Sequence, residues 1–330
     1  MQPSATVEVP TARGDTVPSS ELGFTLMHEH IFLCDTEVNK NWPETLGDEE
    51  RRVSQAIDDL KTLGKAGVQT ITDVSVIGHG RDIERVARVA AEVDTNILVA
   101  TGVYALADLP SYFRLFGPGA LIEGPEAMTE FFVRDIEEGI GGTGVRAAIL
   151  KVAAAHAGLT VGVERGLRAV ARAHRRTGVP ITTHTSIKQN GIDQQRIFEE
   201  EGVDLSRVII GHCDTVSGGD LAYVEEILSH GSFAGFDTFG LPLLADDIKV
   251  DLLVELVKRG HADKIVVSHD HSSFADYIPP QFMNDSYRKT FFSEVVIPDL
   301  AARGVTKEEI YLMTVLNPRR IFETTGQGSY

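Results

Sequence analysis

Cysteine is scarce in this chain: its 330 residues carry two, Cys34 and Cys213, far apart in sequence. Two distant thiols cannot build the disulfide framework of a small secreted domain, and such a count suits a reducing compartment. Tryptophan occurs once, as Trp42. No apolar run approaches the ~20 residues that span a bilayer. The stretch from Met1 to Glu21 is polar, broken by Pro3, Pro10 and Pro18, and lacks the basic-then-apolar layout of a signal peptide. Positive charge is also in short supply, with Lys plus Arg at 31 against 48 Asp plus Glu, a formal net charge of −17. So acidic a surface repels nucleic acid and anionic lipid, but it is silent about a small neutral substrate. The expectation is a cytoplasmic protein with a small-molecule substrate, no nucleic-acid partner and no membrane.

What is present is ample core material, 42% hydrophobic against 24% charged, in short β-branched runs that alternate with helical patterns. The first run lies near 24–32, and a helix fits 48–66, with Val53, Ile57, Leu60 and Leu63 at helical spacing and Gly67 as its stop. Further strands are expected at 68–74, 96–101, 146–152, from Pro180 onward, up to His212, at 232–237 and at 265–269. Helices are expected at 81–93, 128–140, 164–177 and 222–229. Eight βα units without a composition break predict a single-domain (β/α)8 TIM barrel over 23–323, an N-terminal extension (1–22) and a C-terminal tail (324–330). An open doubly wound sheet is the rival. It would gather its ligand at one switch point, whereas here polar candidates follow strands one, four, five, six and eight.

Those candidates crown the apolar runs: His28 and His30, Lys151, His184, His212 and Asp270. Residues two apart on a strand share a face, so His28 and His30 can point together into a barrel mouth and ligate one divalent ion. They can equally be a satisfied histidine pair. His184 and His212, at matching strand ends, shift the balance toward metal. Asp270 offers a carboxylate to complete a metal shell and take a proton from water. On alternation, His269 and His271 face away from Asp270 and are left out. Lys151 sits in Ala147-Ala148-Ile149-Leu150-Lys151-Val152-Ala153, where a free ammonium is costly. Either it snorkels to the mouth, or burial lowers its pKa until the amine is nucleophilic.

The ordered set Met27-His28-Glu29-His30, Lys151, His184, Gly211-His212 and Ser268-His269-Asp270 resembles the phosphotriesterase family of the amidohydrolase superfamily, and within it the phosphotriesterase-like lactonases. The resemblance runs from about Gly23 to Phe322. It takes in Tyr104 within Ala100-Thr101-Gly102-Val103-Tyr104, the stretch Asp193-Gln194-Gln195-Arg196-Ile197-Phe198, and Asn317-Pro318-Arg319-Arg320-Ile321-Phe322. It implies two divalent ions per chain, with His28, His30 and Asp270 on one and His184 and His212 on the other. Lys151, carboxylated on its amine by carbon dioxide (N6-carboxylysine), and a hydroxide would bridge them. Zinc suits mixed imidazole and carboxylate ligation, with cobalt, manganese and iron as alternatives. Tyr104 resembles the tyrosine that reaches toward the hydroxide and substrate, or else it anchors a loop. Family members are often homodimers.

The chain departs from the lactonase branch at Asp237-Thr238, where an Asp-Arg pair is usual. Its eighth loop (271–294) also lacks the Cys-Cys pair and the tryptophan typical of acyl-homoserine-lactone cleavage. Phe113, Phe116, Phe239, Leu241, Leu243, Phe274, Tyr277 and Phe282 are either an acyl-binding channel or ordinary loop packing. The function expected is a metal-dependent hydrolase opening a small lactone or related ester, with phosphotriesterase activity as a side reaction. The alternatives are cleavage of an N-acyl amide, carboxylic ester or phosphoester. A mononuclear deaminase, in which Lys151 has no task, and a barrel that binds metal and ligand without catalysis stand further off.

Overall fold

A computed structural model describes residues 6–276 and 285–323. The expected tail (324–330), together with Tyr277 and Phe282, lies outside the described residues. Eight strands pair in parallel in chain order: Thr25–Leu33, Thr70–Asp73, Asn96–Val103, Ile149–Ala154, Ile181–Thr185, Val208–Ile210, Phe233–Phe236 and Ile265–Val267. A further segment, Ser272–Ala275, pairs with the first strand, Ser272 opposite His30. Between these two pieces of the eighth strand, the Asp270 amide donates to the His28 carbonyl, and the His30 amide to the His271 carbonyl. These bonds close the sheet on itself. The architecture is the expected (β/α)8 barrel, and among the described residues no helix is long and apolar enough to cross a membrane.

Helices form where side-chain caps meet apolar periodicity. Asp48 accepts from the Arg51 amide and opens Glu49–Lys65, which buries Val53, Ala56, Leu60 and Leu63 against the sheet. The helix expected at 81–93 is shorter, Ile83–Ala90, because Asp82 accepts from the Arg85 amide as its cap. Arg81 is held outside it, donating to the Ala100 carbonyl and to Asp135. The expected strand at 68–74 likewise contracts to Thr70–Asp73.

Inside the barrel, Met27, Val74, Leu98, Ile149, Ile209, Phe233 and Val266 form one apolar cluster with Val9, Val17, Leu22 and Phe322. Val9 and Val17 come from an antiparallel hairpin, Glu8–Pro10 with Thr16–Pro18. The Ala12 amide beside it bonds to the Ile97 carbonyl at the start of the third strand. The N-terminal segment therefore plugs the floor of the barrel. This leaves the opposite rim, where the strands end, free for chemistry.

Charge also holds the seam between first and last strands. Alternation turns Glu29 away from His28 and His30, toward the helix side. There its fully buried carboxylate accepts from the Ser268 hydroxyl, the His269 amide and ring (2.8, 2.8 and 3.0 Å), and the Lys289 ammonium (3.0 Å). Burial alone would raise this carboxyl, but Lys289 and His269 hold it well below its ordinary 4.5. Removing one partner of such a pair strands the other. We expect Glu29→Gln or Lys289→Met to lower the unfolding free energy by ~3–5 kcal/mol in urea melts at pH 7. Because the folded pKa is depressed, this contribution is complete above about pH 4.5 and fades as pH falls below it. Unchanged melts for both variants would show that the seam does not depend on this pair.

Candidate metal centre

The rim gathers six side chains from five strand ends. His28 and His30 alternate inward from the first strand, and Lys151 stands on the fourth, His184 on the fifth, with His212 and Asp270 just beyond the sixth and eighth. The Asp270 carboxylate lies 3.6 Å from His28 Nε2, 3.3 Å from His30 Nε2 and 3.9 Å from His212 Nε2. His212 Nε2 is 2.8 Å from His184 Nδ1, and Lys151 Nζ is 2.9 Å from His28 Nε2. All six candidates named from the sequence thus converge on one place.

The far side of each ring explains why these nitrogens face inward. Asp237, at the end of the seventh strand, lies 3.0 Å from His28 Nδ1 through one oxygen and 2.8 Å from His212 Nδ1 through the other. Both Nδ1 protons therefore point at Asp237, leaving both Nε2 lone pairs aimed at the centre. His30 Nδ1 rests on the Ser75 hydroxyl at 2.8 Å, and His184 Nε2 on the Ser186 hydroxyl at 2.9 Å, which frees His184 Nδ1. His28, His212 and Asp237 also lie close enough to form a ligand triad. Hydrogen-bond distances on both Nδ1 atoms make Asp237 the holder of two candidate ligands instead.

Burial, and then Lys151, bring the His28 pKa down to about 4. Loss of solvent, followed by Lys151 for His30 and by His212 for His184, holds those two rings well below the usual range. Neutral imidazoles are the form that binds a cation. His212 moves upward: burial opposes its charged form, but the Asp237 charge and hydrogen bond outweigh it. Those two histidines in turn keep Asp237 ionised against its own burial. Lys151 is fully buried, donates to the Thr183 carbonyl at 3.1 Å, and falls to about 8 through burial, with Asp270 and Asp237 pulling the other way. The snorkelling alternative is thereby excluded. A Cβ on Gly102, across the ladder, would fall 1.8 Å from the Lys151 carbonyl oxygen, so glycine is required there. The donor set of imidazoles, a carboxylate and an amine of lowered pKa fits divalent cations.

Strain marks the same place. Among the described non-glycine residues, those with positive φ are His212 (59°) and Asp270 (58°). A left-handed backbone costs an ordinary side chain ~1–2 kcal/mol. It persists here because the Asp237 carboxylate accepts from the His212 amide (2.9 Å), and the His28 carbonyl from the Asp270 amide.

His269, bonded to Glu29, and His271, stacked on Tyr287 at 4.1 Å, stand outside the cluster as expected. Thr238 donates its hydroxyl and amide to the buried Asp214 (2.8 and 2.9 Å) and anchors the seventh strand end. Of the apolar mouth candidates, Phe239 and Phe113 are buried in the core. The cavity of about 880 Å3 beside Tyr104 is walled by Val38, Leu46, Leu106 and Leu109, with Asp35, Asp108 and Asp276. Sequence reasoning passed over Asp237 as a holder of ligands, although it ends an apolar run as they do. It missed Ser75 and His79 entirely, because both lie in a loop with no periodicity.

A model of the phosphotriesterase family matches residues 7–322. The chain belongs to the phosphotriesterase family. It is 50% identical to the phosphotriesterase homology protein of Mycobacterium tuberculosis over 324 residues, covering 97% of this chain and 98% of that one. It is 36% identical to an aryldialkylphosphatase of Saccharolobus solfataricus (96% and 100% covered), and 27% to an N-acetyltaurine hydrolase of Dictyostelium discoideum (81% and 72% covered). The solved structure of the phosphotriesterase from Mycobacterium tuberculosis superposes with a TM-score of 0.94 at 50% identity, over 98% of this chain and 100% of that one. The chain is therefore a hydrolase of a metal-dependent family, and the cluster at the rim is its candidate metal centre.

If Asp237 orients two ligands, Asp237→Asn weakens divalent-metal affinity by ~10–100-fold while the fold survives. Competition against a chelator, with circular dichroism as the control, measures this. Wild-type affinity in the variant would remove the orienting role.

Proposed function

We propose that this family member is a binuclear metal-dependent hydrolase that opens a small lactone or related uncharged ester, with phosphotriester cleavage as a side reaction. The observation that carries the proposal is the shared grip of Asp237 on His28 and His212, which aims His28 Nε2 at Lys151 and Asp270, and His212 Nε2 at His184 and Asp270. His28, His30 and Asp270 would hold one ion and His184 and His212 the other, with carboxylated Lys151 between them and zinc as the first choice. Two such cations supply Lewis acidity, polarising the oxygen under attack and lowering the pKa of nearby water.

The rest falls to the chain. Asp270 has a pKa raised by burial, against the pull of His28, His212 and Lys151, which suits a group that accepts and returns a proton. Its side chain keeps 21% of its surface accessible, so it meets the substrate side. Tyr104 has its phenol pKa raised by burial and then by Asp270, so it stays an O–H donor for an ester oxygen. Burial lowers the Lys151 pKa to about 8, which enlarges the fraction of free amine, the form that adds carbon dioxide.

The cavity supports the substrate class. Among the described residues its walls are apolar with three carboxylates, and neither lysine nor arginine lines it. Such walls repel an anionic substrate and accept an uncharged one. The N-acetyltaurine hydrolase relative favours amide cleavage as a second reading, but a sulfonate would meet Asp35, Asp108 and Asp276. Turnover of a γ-lactone, an aryl dialkyl phosphate and an N-acyl amide decides between them, and amide cleavage with lactones untouched rejects the first reading. Lys151→Ala and Asp270→Asn should each lower kcat at least ~100-fold. Chelation should abolish turnover, and elemental analysis after reconstitution should find two ions per chain. Fewer than two ions would end the binuclear assignment.

A further inference from the structure

His79 is a buried histidine at the centre to which the proposed chemistry gives no task. It sits in Ile77-Gly78-His79-Gly80, after the second strand. The Tyr104 amide donates to the Ile77 carbonyl (2.7 Å), the His79 amide to the Val76 carbonyl (2.9 Å), and the Cys34 amide to the His79 carbonyl (3.1 Å). The loop is thus wedged between the ends of strands one and three. Gly78 (φ +98°) and Gly80 (φ +69°) allow the approach: a Cβ would stand 2.3 Å from the Tyr104 carbonyl oxygen at one, and 1.6 Å from that of Cys34 at the other. Both neighbours are stripped to backbone, and the imidazole between them fills the gap.

One side of that ring meets Tyr104, with centres 4.1 Å apart and planes inclined by 37°. The other meets His30 edge to face, at 5.0 Å and 73°. His79 Nδ1 lies 3.3 Å from the Val76 amide, which pins the ring. His79 belongs to neither ligand cluster. The ring is thus used as a packing surface, with one side on Tyr104 and the other on His30. Tyr104 has the opposite need. Its hydroxyl is 3.4 Å from His184 Nε2, and its ring forms part of the cavity wall.

We propose that His79 is a positioning residue, a wedge backed by His30 that sets the Tyr104 phenol on the substrate side of the centre. The proposal rests on the reading of Tyr104 as the phenol that meets substrate. Aromatic packing of this kind adds only modestly to stability, but displacing a reacting group by ~1 Å can cost ~100-fold in rate.

The test is a double-mutant cycle on the fastest of the three panel substrates. We expect His79→Ala to lower kcat/KM at least ~10-fold, mostly in kcat, with bound metal unchanged and the melting temperature lowered by only a few degrees, roughly what losing one ring contact costs. His79→Phe, which keeps the ring, should return activity to within ~3-fold of wild type. In a Tyr104→Phe background, His79→Ala should add less than ~2-fold. Additive losses, no rescue by phenylalanine, or metal lost from His79→Ala overturns the positioning role. So does a silent His79→Ala alongside a damaging Tyr104→Phe, which leaves the reading of Tyr104 intact. A silent Tyr104→Phe overturns both.

Discussion

One carboxylate joins three strands that are distant in sequence. Asp237 accepts from the rings of His28 and His212, which lie 4.8 Å apart, and the inward aim of both follows from that grip. A buried carboxylate is costly unless it is compensated, and the two imidazoles compensate it. The interaction is mutual, since either ring without Asp237 would be free to turn or to change tautomer. It also requires closure of the barrel, because the first strand meets the seventh strand's carboxylate only in a curled sheet. The chemistry proposed for the centre therefore depends on the integrity of the whole ring.

Stability and strain are placed at opposite ends of that ring. The floor is apolar and plugged, with Val9, Val17, Leu22 and Phe322 packed beneath the barrel interior. The rim carries left-handed His212 and Asp270, buried Lys151 and the wedged Gly78–Gly80 loop. Each of these is unfavourable in isolation, and each is held by bonds from a neighbouring strand. Glu29 mediates between the two regimes. It lies between two candidate ligands yet faces the other way, and its contacts with Ser268, His269 and Lys289 hold the segment that presents Asp270.

Much of the site was legible because its members share a one-dimensional signature, a polar residue closing a β-branched run. His28, His184 and His212 carry it plainly, and Lys151 is conspicuous as a charge in an apolar stretch. Thr238, a departure from the lactonase pattern, proved to anchor a strand end through Asp214. His79 has no such signature. It lies in a loop, and its two glycines read as ordinary turn residues until the carbonyls of Cys34 and Tyr104 are seen pressing against them.

Periodicity and composition by themselves determined the eight-unit barrel and picked out six candidate side chains at its rim, and the family resemblance implied that the six act together. The barrel and the candidates follow from local rules: alternation along a strand, spacing on a helix, and the cost of an unpaired polar group in an apolar run. Only the tertiary structure decided which side chains orient the six. Asp237, Ser75 and Ser186 do so, and His79 packs on Tyr104 and His30, through contacts between strands or across a turn. Those contacts depend on distances of about 3–5 Å, which no order along the chain encodes.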